Sequence, residues 1–197
     1  MLNKKNTLPI QQKFEDPWIT KTGKKRAHVS LKNPKTLWFN TGTLCNISCL
    51  NCYINSSPTN DALVYITGSE VADYLNQIVA QKWPVCEIGL TGGEPFMNPD
   101  ILEIIKCSLA ANYKVLILTN AMRPMMRKDI KDGLVKLNKT FPNKLKLRVS
   151  LDHFHAISHD TERGLGAFQK TIEGMDWLRD MGISMSVAGR TIWGETM

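Results

Sequence analysis

Three cysteines, Cys45, Cys49 and Cys52, stand four and then three residues apart in the stretch Thr43-Leu44-Cys45-Asn46-Ile47-Ser48-Cys49-Leu50-Asn51-Cys52-Tyr53. Spacing this short lets one loop aim three sulfurs at a common point. Iron–sulfur clusters are built on cysteine thiolates, so three of them can hold three corners of a cubane [4Fe–4S] cluster and leave the fourth iron without a protein ligand. Such an iron is open to a substrate or cofactor. A structural zinc site asks for four ligands in tetrahedral array, and no fourth Cys or His lies near this loop. A disulfide framework fits less well still, because the chain has five cysteines, an odd number, and carries no sign of secretion. The loop reads as a cluster cradle.

A second motif follows the first: Thr91-Gly92-Gly93-Glu94-Pro95. Taken in this order, the C-x3-C-x2-C spacing and the Gly-Gly-Glu-Pro segment resemble the radical S-adenosylmethionine (radical SAM) superfamily, in which a "GGE" motif binds SAM. The resemblance implies that the open iron binds the methionine amine and carboxylate of SAM, with Gly92 and Gly93 approaching the amine and Glu94 and Pro95 fixing the shape of the loop. The competing reading of Glu94 is a solvated surface carboxylate. Ser150 and Asp152 are candidates for the ribose hydroxyls, with strand-end turn residues as the plainer alternative. Asn120 belongs to the same set of strand ends. Tyr53 is expected near the adenine, although the family more often carries an aromatic just before the third cysteine, where this chain has Asn51. Arg163 has the bidentate fork to pair with a SAM carboxylate.

By the same resemblance, an electron from the reduced cluster would cleave the sulfonium C–S bond and leave a 5′-deoxyadenosyl radical, which abstracts hydrogen from a substrate. A ferredoxin- or flavodoxin-type reductant protein would then be a partner. The substrate is a peptide or a small molecule, with RNA modification as the alternative class. The rival to an enzyme is a non-catalytic module that binds the cluster or SAM.

These residues need elements to position them. From Thr36 a short apolar run ends in Gly42, consistent with a first strand that feeds the cysteine loop. Val71, Tyr74, Leu75, Ile78 and Val79 recur at helical spacing between Ser69 and Lys82, with Ser69 as the expected N-cap. Val85 to Thr91 reads as a second strand. Asn98-Pro99-Asp100 supplies a cap, a proline for the first helical position and an early acid, predicting a helix through Ala111. Tyr113 to Thr119 is a third strand. A basic helix follows Pro124 to about Lys139, interrupted by Gly133. Leu145 to Leu151 alternates as a fourth strand, Ala167 to Met181 is a helix ended by Gly182, and Ile183 to Ala188 is a fifth strand.

Strands alternating with helices of this length predict βαβ units and a parallel sheet, hence an α/β fold. Ligands of such sheets gather beyond the C-terminal strand ends, and every motif above falls at one. The family resemblance implies a partial (β/α) barrel of the radical SAM type. A sixth strand and its covering helices are expected after residue 197, so the chain reads as truncated after the fifth strand. Residues 1–35 are polar and broken by Pro9, Pro17 and Pro34, and read as an N-terminal extension packed over a core domain of residues 36–197.

The run from Asp152 to Asp160 crowds His153, His155 and His159 into seven residues. A loop at the mouth of the site is the expectation there, with a second metal as the alternative. Cys86 and Cys107 fall within a strand and a helix and read as small core residues. At 197 residues, 43% hydrophobic and 22% charged, the chain is long enough for one sizeable core. No stretch approaches the roughly 20 apolar residues that span a bilayer, and no signal-peptide pattern opens the chain, so a cytoplasmic home without membrane association is expected. The net charge of +7 gathers in residues 21–26 and 123–146. Without interleaved aromatics, that charge leaves nucleic acid a minor option.

Overall fold

The computed structural model describes residues 16–190. The chain divides into two compact units, residues 1–32 and 33–197. In the smaller, the Asp16 carboxylate accepts the Trp18 and Ile19 N–H groups, and Ile19 bridges antiparallel to Lys25 around a tight turn at Gly23. Pro9 lies outside the described residues. The larger unit starts at Asn33, just before the first strand.

That unit runs β1 (Thr36–Asn40), α1 (Gly68–Ala80), β2 (Glu87–Thr91), α2 (Ile101–Ala110), β3 (Lys114–Thr119), α3 (Lys128–Thr140), β4 (Leu145–Ser150), α4 (Ala156–Arg163), α5 (Ala167–Asp180) and β5 (Ser184–Ala188). A single 3-10 turn, Pro95–Met97, follows β2. The sheet is fully parallel in the order β1-β2-β3-β4-β5, as right-handed βαβ crossovers between neighbours require. It is an open α/β sheet of the partial-barrel kind, not a closed barrel.

One face of the sheet builds the core. Ile88, Leu90, Val115, Ile117, Leu145, Leu147 and Val149 interlock with Val71, Leu75 and Ile78 of α1, Ile101, Ile105 and Leu109 of α2, and Leu134 of α3. Burial of side chains of this size contributes about 1.5–3 kcal/mol each. The cap of α1 is Thr67, not Ser69. Its hydroxyl accepts the Glu70 N–H while the Glu70 carboxylate reaches back to the Thr67 N–H, a reciprocal capping box. The start of α2 also differs from expectation: Asp100 is the flanking residue and the helix begins at Ile101. Asn98 instead staples three segments, accepting the Asp100 N–H and donating to the Thr41 and Ile66 carbonyls. At Gly133 the Leu102 methyl groups fill the space where a Cβ would stand, 2.6 Å away, so a larger residue there would make that side chain shift.

Two further expectations are corrected. The histidine-rich segment is not a loop but carries α4, whose one buried side chain is His159. Cys86 lies just before β2 and is exposed, outside the core expected for it, whereas Cys107 packs against the core from α2 as expected.

Candidate functional site

Beyond the C-terminal strand ends lies a cavity of about 290 Å³. The loop after β1 brings Cys45, Cys49, Cys52 and Tyr53 to its wall, the end of β2 brings Gly92 and Gly93, the end of β3 brings Asn120, and β4 and its following loop bring Ser150 and Asp152. Arg163 reaches it from the end of α4. Of the residues expected to hold the cluster or SAM, only Glu94 and Pro95 lie off this wall, both buried.

The cysteine loop is held by backbone bonds to the glycine loop. Gly93 donates to the Gly42 carbonyl at 2.9 Å and Glu94 to the Leu44 carbonyl at 3.1 Å. The two chains approach so closely that a Cβ on Gly93 would stand 2.1 Å from the Leu44 oxygen. Gly92 adds a φ of +143°, a region open to glycine. The glycines therefore make room for the cysteine loop. The Gly93 and Glu94 N–H groups are spent in these bonds.

Glu94 is not a surface carboxylate; it is 2% exposed. One oxygen accepts the Thr119 hydroxyl at 2.8 Å and the Phe96 N–H, and the other accepts the Asn120 N–H at 2.8 Å. It thereby ties the end of β2 to the end of β3. Burial pushes its carboxyl up to about 7, against the pull of the Asn120, Thr119 and Phe96 donors. Asn120, aligned by this tie, donates to Asn46 Oδ1 at 2.9 Å and faces the Cys45 sulfur at 3.9 Å.

On the opposite side, Asp152 is gripped by two guanidinium groups. Arg163 Nε donates at 2.7 Å and Nη2 at 3.3 Å, while Arg190 Nε donates at 3.1 Å and Nη2 at 2.6 Å. The Asp152 side chain is 1% exposed, and four N–H donors occupy the four acceptor sites a carboxylate has. The expectation that Asp152 faces a ribose and that the Arg163 fork faces a carboxylate ligand thus meets a different arrangement: each is the other's partner. Arg190 also donates to the Asn51 carbonyl at 2.9 Å, Asn51 donates to Glu162 at 2.9 Å, and Arg163 Nη1 lies 3.9 Å from the Cys49 sulfur. The network pins the second half of the cysteine loop to α4 and to the end of β5. Tyr53, largely exposed, shares a hydrogen bond of 3.2 Å with Thr91 across the cavity mouth.

Sequence reading missed Arg190, Asn51 and Glu162. The one available signal was position, since Arg190 follows β5 as Asp152 follows β4. The histidines serve local structure: His159 Nδ1 accepts the Asp152 N–H and His153 Nδ1 accepts the His155 N–H.

The donor set fits a cubane cluster. Desolvation raises the Cys45 thiol to about 12 and raises Cys49 as well, Arg163 offsetting part of the latter, so the bare thiols of Cys45 and Cys49 stay protonated at neutral pH. Iron would displace those protons. Among the described residues no three His, Cys, Asp or Glu side chains are grouped to hold one metal ion. A cubane takes each thiolate on a different iron, so its ligands stand farther apart than those of a single ion.

The family model of the radical SAM superfamily matches residues 39–194. The chain belongs to the radical SAM superfamily. Enzymes of this superfamily use a [4Fe–4S] cluster and SAM. The chain is 30% identical over 198 residues to the antilisterial bacteriocin subtilosin biosynthesis protein AlbA of Bacillus subtilis, covering 98% of this chain and 41% of that protein. It is 28% identical over 138 residues to the AdoMet-dependent heme synthase of Methanosarcina barkeri, covering 68% and 36%. Among solved structures it resembles Streptococcus suis SuiB bound to S-adenosylmethionine, with a TM-score of 0.67, 17% identity and coverage of 83% of this chain and 35% of SuiB. SuiB bound to its precursor peptide SuiA matches equally well, at a TM-score of 0.67. The radical SAM chain thus spans less than half the length of these relatives. No helix among the described residues is long and apolar enough to cross a membrane.

Proposed function

We propose that this chain carries the catalytic core of an enzyme that cleaves SAM reductively to abstract hydrogen from a peptide. The observation that carries the reading is the meeting of three cysteine thiols and the Gly92-Gly93 backbone on one cavity wall. When bound, the cluster and SAM supply the electron and the 5′-deoxyadenosyl radical; the protein binds, orients and shields them.

Cys45, Cys49 and Cys52 would hold three irons. The carbonyl oxygens of Gly92 and Gly93 would accept from the methionine ammonium, and Ser150 and Tyr53 would meet the ribose and adenine. Glu94 acts through Asn120 and Pro95 by fixing the glycine loop. Asp152, Arg163 and Arg190 hold the cysteine loop, and the two cations beside Cys49 offset negative charge on a thiolate-bound cluster. A ferredoxin- or flavodoxin-type protein of the cytoplasm would supply the electron.

The peptide reading is supported by the likeness to AlbA, a bacteriocin biosynthesis protein, and to SuiB, seen with a precursor peptide. The likeness to a heme synthase favours a second reading, a small-molecule substrate. Anaerobic reconstitution tests the site itself. It should load about four irons per chain, and Cys49→Ala should lose most of them. Unchanged iron content in single variants of Cys45, Cys49 and Cys52 would remove the cluster.

A further inference from the structure

β4 alternates Leu145, Leu147 and Val149, buried in the helix-side core, with Lys146, Arg148 and Ser150 on the other face. Ser150 lines the cavity, so this second face is the one the cavity opens onto. Register places Arg148 between Leu118 of β3 and Ser186 of β5, and Ser150 opposite Ala188. Leu118, Ser150 and Ala188 all line the cavity. Arg148 is therefore bordered by cavity residues beside it and one strand repeat, roughly 7 Å, ahead of it.

Arg148 is half-buried, and among the described residues it makes no hydrogen bond or ion pair. Its neighbour Ser186 carries a buried hydroxyl that is likewise without a partner among the described residues. The Ser186 hydroxyl is buried, and a buried donor left unpaired is costly; the Arg148 guanidinium, partly open to solvent, is a cation beside it with no protein anion on it among the described residues. No carboxylate nearby answers it. Asp152 is saturated by Arg163 and Arg190, and Glu87, at the far end of β2, accepts the Thr36 hydroxyl at 3.0 Å.

We infer that Arg148 and Ser186 form a carboxylate-recognising subsite beside the cavity and that the substrate presents an acid group to it. A guanidinium fork matches a carboxylate in bidentate fashion, and the serine hydroxyl adds a third donor. For a peptide, the acid is an Asp or Glu side chain or the C-terminal carboxylate. The role in catalysis rests on the reading of the cavity as the cofactor site; the binding itself does not.

The test is a titration of the full chain followed through the Arg148 Nε–H resonance after 15N-arginine labelling. The probes are acetyl-Gly-Glu-Gly-amide, its glutamine counterpart, acetyl-Gly-Gly-Gly with a free carboxylate, and inorganic phosphate. The Glu peptide or the free-carboxylate peptide should give a saturable shift, the stronger of the two identifying the source of the acid. The Gln peptide should bind about tenfold more weakly or worse. Arg148→Lys, which keeps the charge and loses the fork, should weaken binding about fivefold or more. Equal binding of the Glu and Gln peptides, saturation by phosphate alone, or wild-type binding by a folded Arg148→Lys protein would overturn the inference. The comparison of wild-type responses to the Glu and Gln peptides decides the matter even if the variant does not fold. Formation of 5′-deoxyadenosine, measured on the same protein, separates the two claims: acid binding without it leaves the subsite and removes the cofactor reading.

Discussion

Replacing Gly93 by alanine puts a Cβ 2.1 Å from the Leu44 carbonyl oxygen, 2.6 Å from its carbon and 2.8 Å from the Thr43 oxygen. All three are backbone atoms, so no side chain can swing aside. Reaching the 3.4 Å of ordinary contact requires the cysteine loop and the glycine loop to part by about 1.3 Å. The hydrogen bonds Gly93 N–H to Gly42 and Glu94 N–H to Leu44 cannot survive that separation. At about 1 kcal/mol net for each bond and about 1–3 kcal/mol for overpacking, the loss comes to roughly 3–5 kcal/mol. Urea denaturation of the reduced, iron-free chain measures it, and iron content after reconstitution should fall in parallel because Cys45 follows the displaced carbonyl. Gly182→Ala is the control, since its φ of +64° costs about 1 kcal/mol while nothing lies within 4 Å of the added carbon. A Gly93→Ala protein within about 1 kcal/mol of wild type and fully loaded with iron would refute the packing argument.

Three other outcomes follow from the same contacts. Asp152→Asn leaves two guanidinium groups facing a neutral amide and should cost on the order of 3 kcal/mol in urea midpoints. Desolvation raises the Asp152 carboxyl, but hydrogen bonds from Arg190 and Arg163 outweigh it and hold the folded pKa low. Its stabilisation is therefore complete above the ordinary value of about 4 and lost as pH falls through the folded pKa, an acid limb that the Asn variant should lack. Glu94→Gln deprives the Asn120 N–H of its acceptor, costing about 1–3 kcal/mol at pH 5. Because the folded carboxyl sits near 7, the wild type loses stability as pH rises from about 4 to 7, so the gap should narrow with rising pH; a constant gap would show that Glu94 titrates normally. Cys86→Ala and Cys107→Ala should retain full iron, with changes of less than about 1 kcal/mol at exposed Cys86 and about 1 kcal/mol at half-buried Cys107.

What the sequence made legible was local. Cysteine spacing along one loop and hydrophobic period along each element are properties of contiguous residues, and they located the five strands and most of the cavity wall. Thr67-x-x-Glu70 has the spacing of a capping box, and it sets the start of α1 ahead of Ser69. The Asp152 ion pairs join residues 11 and 38 positions apart, and nothing in spacing announces which arginine a carboxylate will choose. Burial of Glu94 was hidden for the same reason: its partners Thr119 and Asn120 lie on the next strand. The helix over Ala156–Arg163 escaped because its histidines and acids show no apolar period, and its face is fixed by His159 together with the contacts of Glu162 and Arg163.

The central claim, that this loop holds a cluster which opens SAM, is tested most directly by product formation. The reconstituted chain with dithionite and SAM should release 5′-deoxyadenosine and methionine in equal amounts, and a variant lacking Cys45, Cys49 and Cys52 should release none. An iron-loaded, folded protein that leaves SAM intact, or equal release from the variant, would contradict the account.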